Sequence, residues 1–451
     1  ITRLFGVIWS LLPILIYFSD KQYKQKSVSI STEKRASLSS DLSAMWQFYD
    51  NYTTKDENYL PPDNVQYAPV HRVCHRTSPT NIAMMMLSTL AARDFDIIDT
   101  NGLAKRINRT LNSVEKLQKY HGNLYNWYDT DSLNLSANPY LSSVDSGNFI
   151  CCMVALKEGL KDFLWENPKI QSIISRLEKL INDTDLGIFY DKSKNLFAIG
   201  IDPNSKKLSP NHYDMLMSEA RMLSYYTIAK RIIPKKHWKN LSRTMKRYKN
   251  YSGCISYSGT FFEFFMPELL LKSKFGSLSY ESLKFCIFCQ KEWARKSGLP
   301  FGISESGFYS FDNDLNYQYK ANGVQKVALR KGLCNDYIVS PYSSYLALQM
   351  DVHSAFYNLE RLKKFGTMGA HGHYEAIDFT NERSNGSIVK SYMAHHVGMS
   401  ILSISNTLNN GIMQKRFMRD NYMESAKELL EEKVISGSVI FDDFQEKNTN
   451  I

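Results

Sequence analysis

One short segment sets a carboxylate among apolar and small residues. Leu299–Ser306 reads Leu-Pro-Phe-Gly-Ile-Ser-Glu-Ser, so Glu305 stands between two serines after an apolar stretch. Pro300 and Gly302 interrupt helical periodicity, and we therefore expect a loop here rather than a surface helix. No basic residue lies beside Glu305 in the sequence. Such a carboxylate is either a hydrogen-bonded loop acid or a group that takes part in chemistry.

Other segments repeat this arrangement of an acid among aromatic and small residues, namely Tyr213–Tyr226, Ser256–Leu271 and His371–Asp378. In the first of them, a predicted helix places Glu219 on the same face as Met215 and Met222. Burial among apolar side chains raises the pKa of a carboxyl group, which can then hold a proton near neutral pH as a general acid must. The alternative is a core glutamate neutralised by Arg221 or by a partner elsewhere in the chain.

Paired carboxylates are the minimum equipment for glycoside chemistry. One donates a proton, and the other attacks the sugar or activates water. Glu219 and Glu305 fit this pair best, and Glu263 and Glu375 are the competing candidates. The chemistry predicted from the residues alone is therefore acid-assisted cleavage or transfer at a glycosidic bond.

Metal and nucleotide chemistry have weaker support. The histidines that could suggest a metal site are His371, His373, His395 and His396. None of them occurs in an H-E-x-x-H motif or at a similar ligand spacing, and the adjacent pair must point in different directions on a predicted helix. No P-loop or Rossmann glycine pattern is present either. We therefore predict neither a metal nor a cofactor.

The bulk composition is that of a protein with a large core. The chain has 451 residues, of which 43% are hydrophobic, and a net charge of +10. The basic runs lack the aromatic residues of a single-strand binder and any DNA-reading motif, so no nucleic-acid partner is expected. Most of the seven cysteines lie in apolar stretches, which indicates buried, reduced thiols. Cys286 and Cys289 fall within a helical pattern and are interpreted as core.

The elements that must position these acids are predicted to be mostly helices. Apolar residues recur at helical spacing in about a dozen segments. Beyond residue 140 these cover roughly 147–164, 170–181, 213–231, 236–248, 260–272, 279–297, 341–365, 387–409 and 411–433. Ser78 and Pro79 form a helix start, and Gly187–Tyr190 with Leu196–Gly200 reads as a short hairpin. This pattern favours an all-α fold, an α/α toroid whose inner helices line a cavity.

The amino-terminal segment is predicted to contact a membrane. Leu4–Phe18 is almost entirely apolar, and a basic cluster follows it. We interpret residues 1–20 as the end of a transmembrane helix, with a buried core helix as the alternative, and residues 21–74 as a basic linker with a lead-in helix from Ser37 to Tyr52. Residues 75–451 then form the catalytic domain, on the cytoplasmic face of a bacterial inner membrane because basic flanks favour that side.

A series of ordered motifs runs from about residue 55 to 410: Leu60–Asn64, His75–Asn81, Leu87–Asp94, Asn126–Asp129, Val144–Asn148, Ser218–Arg221, Ser258–Glu263, Gly302–Ser306, Tyr317–Tyr319, Tyr374–Asp378 and Ser391–His396. Together these blocks resemble one family, the middle, glycoamylase-like domain of bacterial cyclic β-1,2-glucan synthases. The resemblance implies an (α/α)6 toroid that closes linear β-1,2-glucan into rings by retaining transglycosylation. It also implies partner domains, among them a glycosyltransferase, in a larger membrane synthase.

The resemblance further implies roles for individual residues. Glu305 is the expected nucleophile and Glu219 the expected acid/base, whose proton passes through a substrate hydroxyl. The residues expected to bind the glucan are Arg76, Trp127, Asp129, Asp145, Glu263, Tyr319, Tyr374, Glu375 and His395. Two alternatives remain open, a hydrolytic endo-β-1,2-glucanase of the same fold and a non-catalytic glucan-binding domain of a synthase.

Overall fold

Fourteen helices account for most of the regular structure in the computed structural model, which describes residues 9–13, 29–136, 138–332, 336–433 and 440–442. Numbered in chain order within these ranges, the helices are α1 Thr32–Tyr52, α2 Pro79–Asp94, α3 Thr100–Lys116, α4 Ser143–Leu160, α5 Ile170–Asp183, α6 Arg221–Ala229, α7 Lys236–Asn240, α8 Phe261–Phe265, α9 Leu278–Ser297, α10 Pro341–Ala347, α11 Val352–Lys364, α12 Ala394–Leu408, α13 Ile412–Met418 and α14 Asn421–Ser425. The fold is helix-rich, as the sequence predicts.

From α2 to α12 the even-numbered helices are the buried ones. Every residue of α6 and α10 is buried, as are all residues of α2 from Pro79 to Ala92. Neighbours pack side by side: α2 against α4 and α12, α4 against α6, and α10 against α8 and α12. Between α6 and α8 the link is polar, because the Arg221 guanidinium donates to the Phe264 carbonyl at 3.4 Å and to Glu268 at 2.7 Å. These helices surround the carboxylates discussed below.

The odd-numbered helices cover the buried ones and bury one face each. Thus α3 packs on α2, α5 on α4, α7 on α6, α9 on α8, and α11 on α10, while α1 packs on α12. In α5 the buried positions Ile170, Ile173, Ile174, Leu177, Leu180 and Ile181 follow the three- and four-residue spacing of an amphipathic helix. The opposite faces of these helices carry charged residues and meet solvent.

Short strands connect the helices. In chain order they are β1 Asn64–Gln66, β2 Arg72–Val73, β3 Arg76–Thr77, β4 Lys119–Tyr120, β5 Asn123–Leu124, β6 Tyr128–Asp129, β7 Leu141–Ser142, β8 Tyr190–Asp191, β9 Leu196–Ala198, β10 Gly200–Asp202, β11 Lys207–Leu208, β12 His212–Tyr213, β13 Met245–Tyr248, β14 Tyr251–Cys254, β15 Ser306–Phe311, β16 Tyr317–Lys320, β17 Ile338–Val339, β18 Met368–Gly369, β19 Gly372–His373, β20 Ala376–Asp378, β21 Ser387–Val389, β22 Ser391–Met393 and β23 Ile440–Asp442.

Most of these strands pair antiparallel, in sheets of two or three. Three pairings bear on the site: β1 joins β22, with Val65 opposite Tyr392, β15 joins β16, and β12 joins β9, with Tyr213 opposite Phe197. The predicted hairpin near residue 195 is present as β8 and β9. The many other short strands were not predicted from the sequence, because strands of two or three residues are too short to show a period.

Several predicted helices are shorter than the sequence suggested. The predicted helix at 236–248 ends at Asn240, and β13 follows it. The segment 341–365 is two helices, because Asp351 accepts a hydrogen bond from the Ser354 amide and so caps a new helix. The segment 387–409 begins as β21 and β22, and 411–433 divides into α13, α14 and a 3-10 turn. In each case a local cap or strand pairing interrupts an apolar pattern that is compatible with one long helix.

The lead-in helix belongs to the core of the fold. It starts at Thr32 rather than at the predicted Ser37, because the Ser31 hydroxyl caps it. The side chains of Leu42, Trp46 and Phe48 are buried, and β1 pairs with β22. Residues 31–74 are therefore packed against the helices that follow residue 75 rather than set apart from them as a linker.

The predicted transmembrane segment, residues 1–20, lies outside the described residues except for the short helical stretch 9–13. Among the helices that the structure describes, none has the length and apolar character needed to cross a membrane.

Candidate active site

A cavity of about 450 Å³ lies where several buried helices begin. Residues at the starts of α2, α4, α6, α8 and α12 contribute to its wall, together with β15 and β16. Both carboxylates predicted to act as a pair, Glu219 and Glu305, line this cavity. Of the predicted glucan-binding residues, those that line it are Arg76, Trp127, Asp145, Tyr319 and His395.

Glu305 lies in the loop between α9 and β15, as its sequence context predicted. The Tyr342 hydroxyl donates to the Glu305 carbonyl at 3.0 Å and lies 2.7 Å from the Ser304 hydroxyl. Two residues after Glu305, the Gly307 amide donates to the Glu375 carboxylate at 3.1 Å. The backbone on both sides of Glu305 is thus fixed, while no ion pair to its carboxylate is found within the described residues.

Glu219 does not lie on a helix, which corrects the predicted helix at 213–231. Tyr213 belongs to β12, Met215 forms a bridge with Ser242, and α6 begins only at Arg221. Glu219 is therefore in the turn that enters α6. Arg221, which the sequence suggested as an ion-pair partner of Glu219, forms its ion pair with Glu268 instead.

Two hydroxyl groups support the Glu219 carboxylate. The Ser218 hydroxyl donates to it at 3.1 Å, and the Tyr213 hydroxyl is a second hydrogen-bond donor. Burial nevertheless raises the pKa of Glu219 to about 7, and the negative charge of Glu263 adds to the increase. A carboxyl group with this pKa can hold a proton at neutral pH and release it readily.

The pKa of Glu305 is raised well above its ordinary value. Burial is the largest cause, followed by the negative charges of Glu219, Glu263 and Glu375. Like charges in one enclosed space cannot all be ionised at little cost. Burial and these neighbouring charges therefore favour the protonated form of the Glu305 carboxyl group.

A polar part of the cavity wall is organised around two aspartates, Asp63 and Asp145. The Arg76 guanidinium lies 4.2 Å from the centre of the Trp127 ring and donates to Asp63 at 3.2 Å. Asp145 accepts from the Thr80 hydroxyl at 2.6 Å and from the Asn126 amide at 3.1 Å. This wall combines an aromatic face with many hydrogen-bonding groups, as is typical of a sugar-binding cleft.

A buried histidine connects the Glu305 side of the cavity to the interior. His396 Nδ1 lies 2.9 Å from the Glu375 carboxylate, and its Nε2 lies 3.4 Å from the Tyr319 hydroxyl. The Tyr342 ring stacks on His396 with a centroid distance of 3.7 Å. Glu375 thereby orients the imidazole, which in turn holds Tyr319 in the cavity wall.

His395 is the neighbouring histidine and faces the cavity itself. Burial lowers its pKa to about 4, and the adjacent His396 adds to this effect. His395 is therefore neutral at physiological pH and can both donate and accept hydrogen bonds.

Four of the predicted binding residues do not line this cavity. Asp129 accepts from the Ser136 hydroxyl, and Tyr374 and Glu375 lie behind the cavity wall next to His396. Glu263 caps α8, accepting from the Thr260 amide and hydroxyl, and also from the Ser256 hydroxyl and the Ser258 amide. Glu375 and Glu263 therefore hold the loops around the site rather than facing this space.

Some residues of the site had no predicted role. Asp63 and His396 lie within motif blocks that carry the family resemblance, and their place in these blocks was the sequence feature that could have indicated a role in the site. Tyr213 precedes Glu219 by six positions, a spacing that carries no helical or strand meaning. Tyr342 reaches Glu305 only through the fold, and nothing in the sequence indicates that contact.

A second, larger cavity of about 730 Å³ adjoins the first. Tyr213 and Glu219 line both cavities, whereas Glu305 lines only the first. Glu263, Tyr257 and Lys194 contribute to the wall of the second. Among the described residues, no group of three or more histidine, cysteine, aspartate or glutamate side chains could hold a metal ion.

The chain is similar to known proteins in sequence and in fold. Residues 211–421 match the Glycoamylase (glucoamylase) family model. The chain is 27% identical, over 556 aligned residues, to the cyclic β-(1,2)-glucan synthase NdvB of Rhizobium meliloti (strain 1021). The alignment covers 95% of this chain but only 20% of that protein, so the chain spans about a fifth of the relative's length.

Solved structures share the fold at low sequence identity. The endo-β-1,2-glucanase of Chitinophaga pinensis, solved with sophorotriose and glucose, superposes with a TM-score of 0.72 at 14% identity, covering 89% of this chain and 99% of that one. The endo-β-1,2-glucanase of Talaromyces funiculosus, solved with sophorose, gives a TM-score of 0.70 at 11% identity, covering 90% and 95%. Residues 211–421 thus match a glycoamylase-like family model, and the family resemblance that the motifs indicated is confirmed.

Proposed function

We propose that this chain is a glycoside hydrolase-type enzyme that cleaves linear β-1,2-glucan and rejoins it with retention of the anomeric configuration, closing rings. The observation that carries the proposal is that Glu219 and Glu305 line one cavity. The identity to a cyclic β-(1,2)-glucan synthase and the shared fold of two endo-β-1,2-glucanases support β-1,2-glucan as the substrate.

In the proposed reaction, the Glu305 carboxylate attacks the anomeric carbon of a bound glucose unit. The bond from that carbon to the leaving sugar oxygen breaks, and the oxygen receives the proton of Glu219, directly or through a substrate hydroxyl. A hydroxyl of the same or another glucan chain then attacks the anomeric carbon. Its proton returns to Glu219, and Glu305 leaves as a carboxylate. Two inversions at one carbon retain its configuration.

The protonation states set one condition on this mechanism. Glu219 must hold a proton at the first step, and its pKa of about 7 allows this at neutral pH. Glu305 must be ionised, whereas burial and three neighbouring carboxylates raise its pKa. Loss of the Glu305 proton is therefore part of forming the active state.

For the architecture, we propose an (α/α)6 toroid. The buried helices α2, α4, α6, α8, α10 and α12 would form the inner ring, with α6 and α8 joined through Arg221 and Glu268. The helices packed on them would form the outer ring. This arrangement accounts for the alternation of buried and half-buried helices along the chain and for a cavity at the helix starts.

We also propose that the chain works as one part of a larger membrane synthase that contains a glycosyltransferase, because it spans about a fifth of its relative. Residues 1–20 would tether it at the cytoplasmic face of the inner membrane. The apolar run followed by basic residues in the sequence supports this placement.

Hydrolysis of the same polymer is the second candidate function. Its support is the fold shared with two endo-β-1,2-glucanases, at 14% and 11% identity. If the configuration is retained, the two reactions differ only in whether water or a sugar hydroxyl attacks the glycosyl–enzyme, whereas an inverting hydrolase forms no glycosyl–enzyme.

The test is incubation of the purified chain with linear β-1,2-glucan. Products are separated by size, and the first anomer formed is followed by NMR. Rings or redistributed chain lengths, with the β-configuration kept, are expected. An α-anomer as the first product would instead indicate an inverting glucanase, and no turnover at all would contradict both candidate functions.

A further inference from the structure

The second cavity is placed to receive a sugar beside Glu219. Its wall includes Leu196 of β9, Tyr213 of β12, and Tyr257 and Ser258 from the loop that precedes α8. Met215 and Met217 supply apolar surface, and Glu219 stands at the junction with the first cavity. Its volume of about 730 Å³ can hold more than one sugar ring.

The loop before α8 presents an exposed aromatic ring on a fixed backbone. Tyr257 is 52% exposed, although the Arg330 amide donates to its carbonyl at 2.9 Å. The next residue is held by Glu263, which accepts from the Ser258 amide at 2.9 Å. Because the backbone beneath the ring is already ordered, a ligand that stacks on Tyr257 restricts only the rotamers of its side chain. Both faces of a β-glucopyranose are apolar, since its hydroxyls are equatorial, and so they suit such a ring.

Lys194, which also lines the second cavity, supplies a cation that is held in position. His212 Nε2 lies 3.0 Å from the Asp191 carboxylate, and Lys194 Nζ lies 3.4 Å from His212 Nδ1. The Asp191 carboxylate also accepts from the Ser193 hydroxyl at 2.6 Å, which orders the turn that carries Lys194. An ammonium group here can donate hydrogen bonds to sugar hydroxyls.

The two cavities differ in which carboxylate they reach. In the proposed reaction, Glu305 bonds to the sugar that is transferred, so that sugar occupies the first cavity. Glu219 protonates the departing sugar and later deprotonates the incoming one, so both occupy the side of Glu219 away from Glu305. We propose that the second cavity is the acceptor site for a β-1,2-glucan end, with Tyr257 as its stacking platform and Lys194 as a hydrogen-bond donor.

This assignment rests on the proposed function. In the step concerned, the acceptor hydroxyl oxygen forms a bond to the anomeric carbon as the bond from that carbon to Glu305 breaks. The hydroxyl proton passes to Glu219, and the electron pair of the broken bond returns to Glu305. Occupancy of the second cavity then decides whether a sugar or water completes the reaction, so Tyr257 and Lys194 control the ratio of transfer to hydrolysis.

The experiment uses linear β-1,2-glucan with increasing sophorose as the acceptor. Transfer products are measured by chromatography and hydrolysis by the release of new reducing ends. In Tyr257→Ala we expect a lower transfer-to-hydrolysis ratio and an acceptor concentration for half-maximal transfer about three- to tenfold higher than in the wild type. Lys194→Ala should likewise lower the transfer-to-hydrolysis ratio and raise the acceptor concentration for half-maximal transfer.

Two further variants make the result specific. Tyr257→Phe keeps the ring and should stay close to the wild type. A loss of transfer that is seen in Tyr257→Ala but not in Tyr257→Phe is therefore caused by the missing ring and not by a misfolded loop. Tyr357→Ala removes a tyrosine that is 74% exposed on α11 and serves as the matched control. If Tyr257→Ala shows the same ratio and acceptor dependence as an active wild type, the acceptor assignment is wrong while the proposed function stands. If the wild type does not act on the glucan, the proposed function itself is wrong.

Discussion

The hydroxyl of Tyr342 donates a hydrogen bond of 3.0 Å to the main-chain carbonyl of Glu305. The ring that carries this hydroxyl stacks on His396, which Glu375 orients from behind. The proposed nucleophile is therefore held through its backbone, and its carboxylate remains available to the cavity. Precise placement of a reacting group can account for a large part of a rate enhancement.

Tyr342→Phe should lower kcat by about two- to tenfold, because it removes one hydrogen bond while the stacked ring stays in place. KM should change little. The control is Tyr225→Phe, which removes a buried hydrogen bond of 2.7 Å to the Met423 carbonyl, on residues that do not line the cavity. Steady-state kinetics on linear β-1,2-glucan provide the measurement. Equal kcat values for the two variants would show that this contact does not position Glu305.

Replacing either proposed catalytic acid should nearly abolish turnover without unfolding the chain. Glu219→Gln removes the proton donor and should cost roughly 10²- to 10⁴-fold in kcat. Glu305→Gln removes the nucleophile and should cost at least as much. The matched control is Glu178→Gln on the exposed face of α5, which should behave as the wild type. A Glu305→Gln variant with near wild-type turnover would exclude Glu305 as the nucleophile.

The pH dependence of kcat/KM follows from the two raised pKa values. Activity requires Glu305 ionised, so it should rise with pH through the pKa of this group, which lies above the ordinary carboxyl range of about 4.3. Activity also requires Glu219 protonated, so it should fall as pH passes its pKa of about 7. Because Glu219 and Glu305 interact electrostatically, the acidic and basic limbs of the pH profile report apparent pKa values that belong to the pair. An acidic limb at or below about pH 4.3 would show that neither burial nor the neighbouring carboxylates raise the pKa of Glu305.

The sequence predicted some parts of this site well, for physical reasons. Pro300 and Gly302 break any helix before Glu305, and the structure has a loop there. The helix start at Ser78 and Pro79 is present because its hydroxyl cap and its first-turn proline are local features. Long periodic segments such as α9 were also located within one or two residues.

Other parts depend on contacts between distant segments. Around Glu219, Met215, Leu216, Met217 and Ser218 are all buried, so helical spacing does not distinguish a helix from an extended segment packed on every side. The start of the segment is extended rather than helical because Tyr213 pairs with Phe197 in a neighbouring strand, and Phe197 lies sixteen residues away in the sequence. For the same reason, the contacts that His396 makes with Glu375 and Tyr319 were not visible in the sequence.

The start of α1 gives a test of the amino-terminal boundary. A chain that begins at Ser29 keeps the Ser31 cap and the 3.1 Å hydrogen bond from Arg35 to the Leu408 carbonyl. It should fold, remain in solution without detergent and retain full activity, as the proposed tether at residues 1–20 requires. A chain that begins at Ser37 loses both interactions, and we expect its Tm to fall by about 2 to 5 °C. Thermal melts and activity of both chains provide the comparison, and aggregation of the longer one would contradict the tether.

The ion pair between Arg221 and Glu268 should be the most sensitive polar contact of the fold. Both side chains are almost fully buried, and the pair joins α6 to the turn after α8. Glu268 also accepts from the Ser273 hydroxyl at 2.7 Å, so its charge is well supported as long as Arg221 is present. Arg221→Met leaves that carboxylate buried without its cation and should lower the free energy of unfolding by about 3 to 5 kcal/mol.

Restoring neutrality should recover part of that loss. In the double variant Arg221→Met with Glu268→Gln no buried charge remains, and its free energy of unfolding should exceed that of Arg221→Met alone. The surface pair of Lys179 and Asp183 is the control, because Lys179→Ala should change the free energy of unfolding by less than about 0.5 kcal/mol. Urea unfolding followed by fluorescence measures all three. If the double variant is no more stable than Arg221→Met, the loss comes from missing packing between α6 and α8 rather than from an unpaired buried charge.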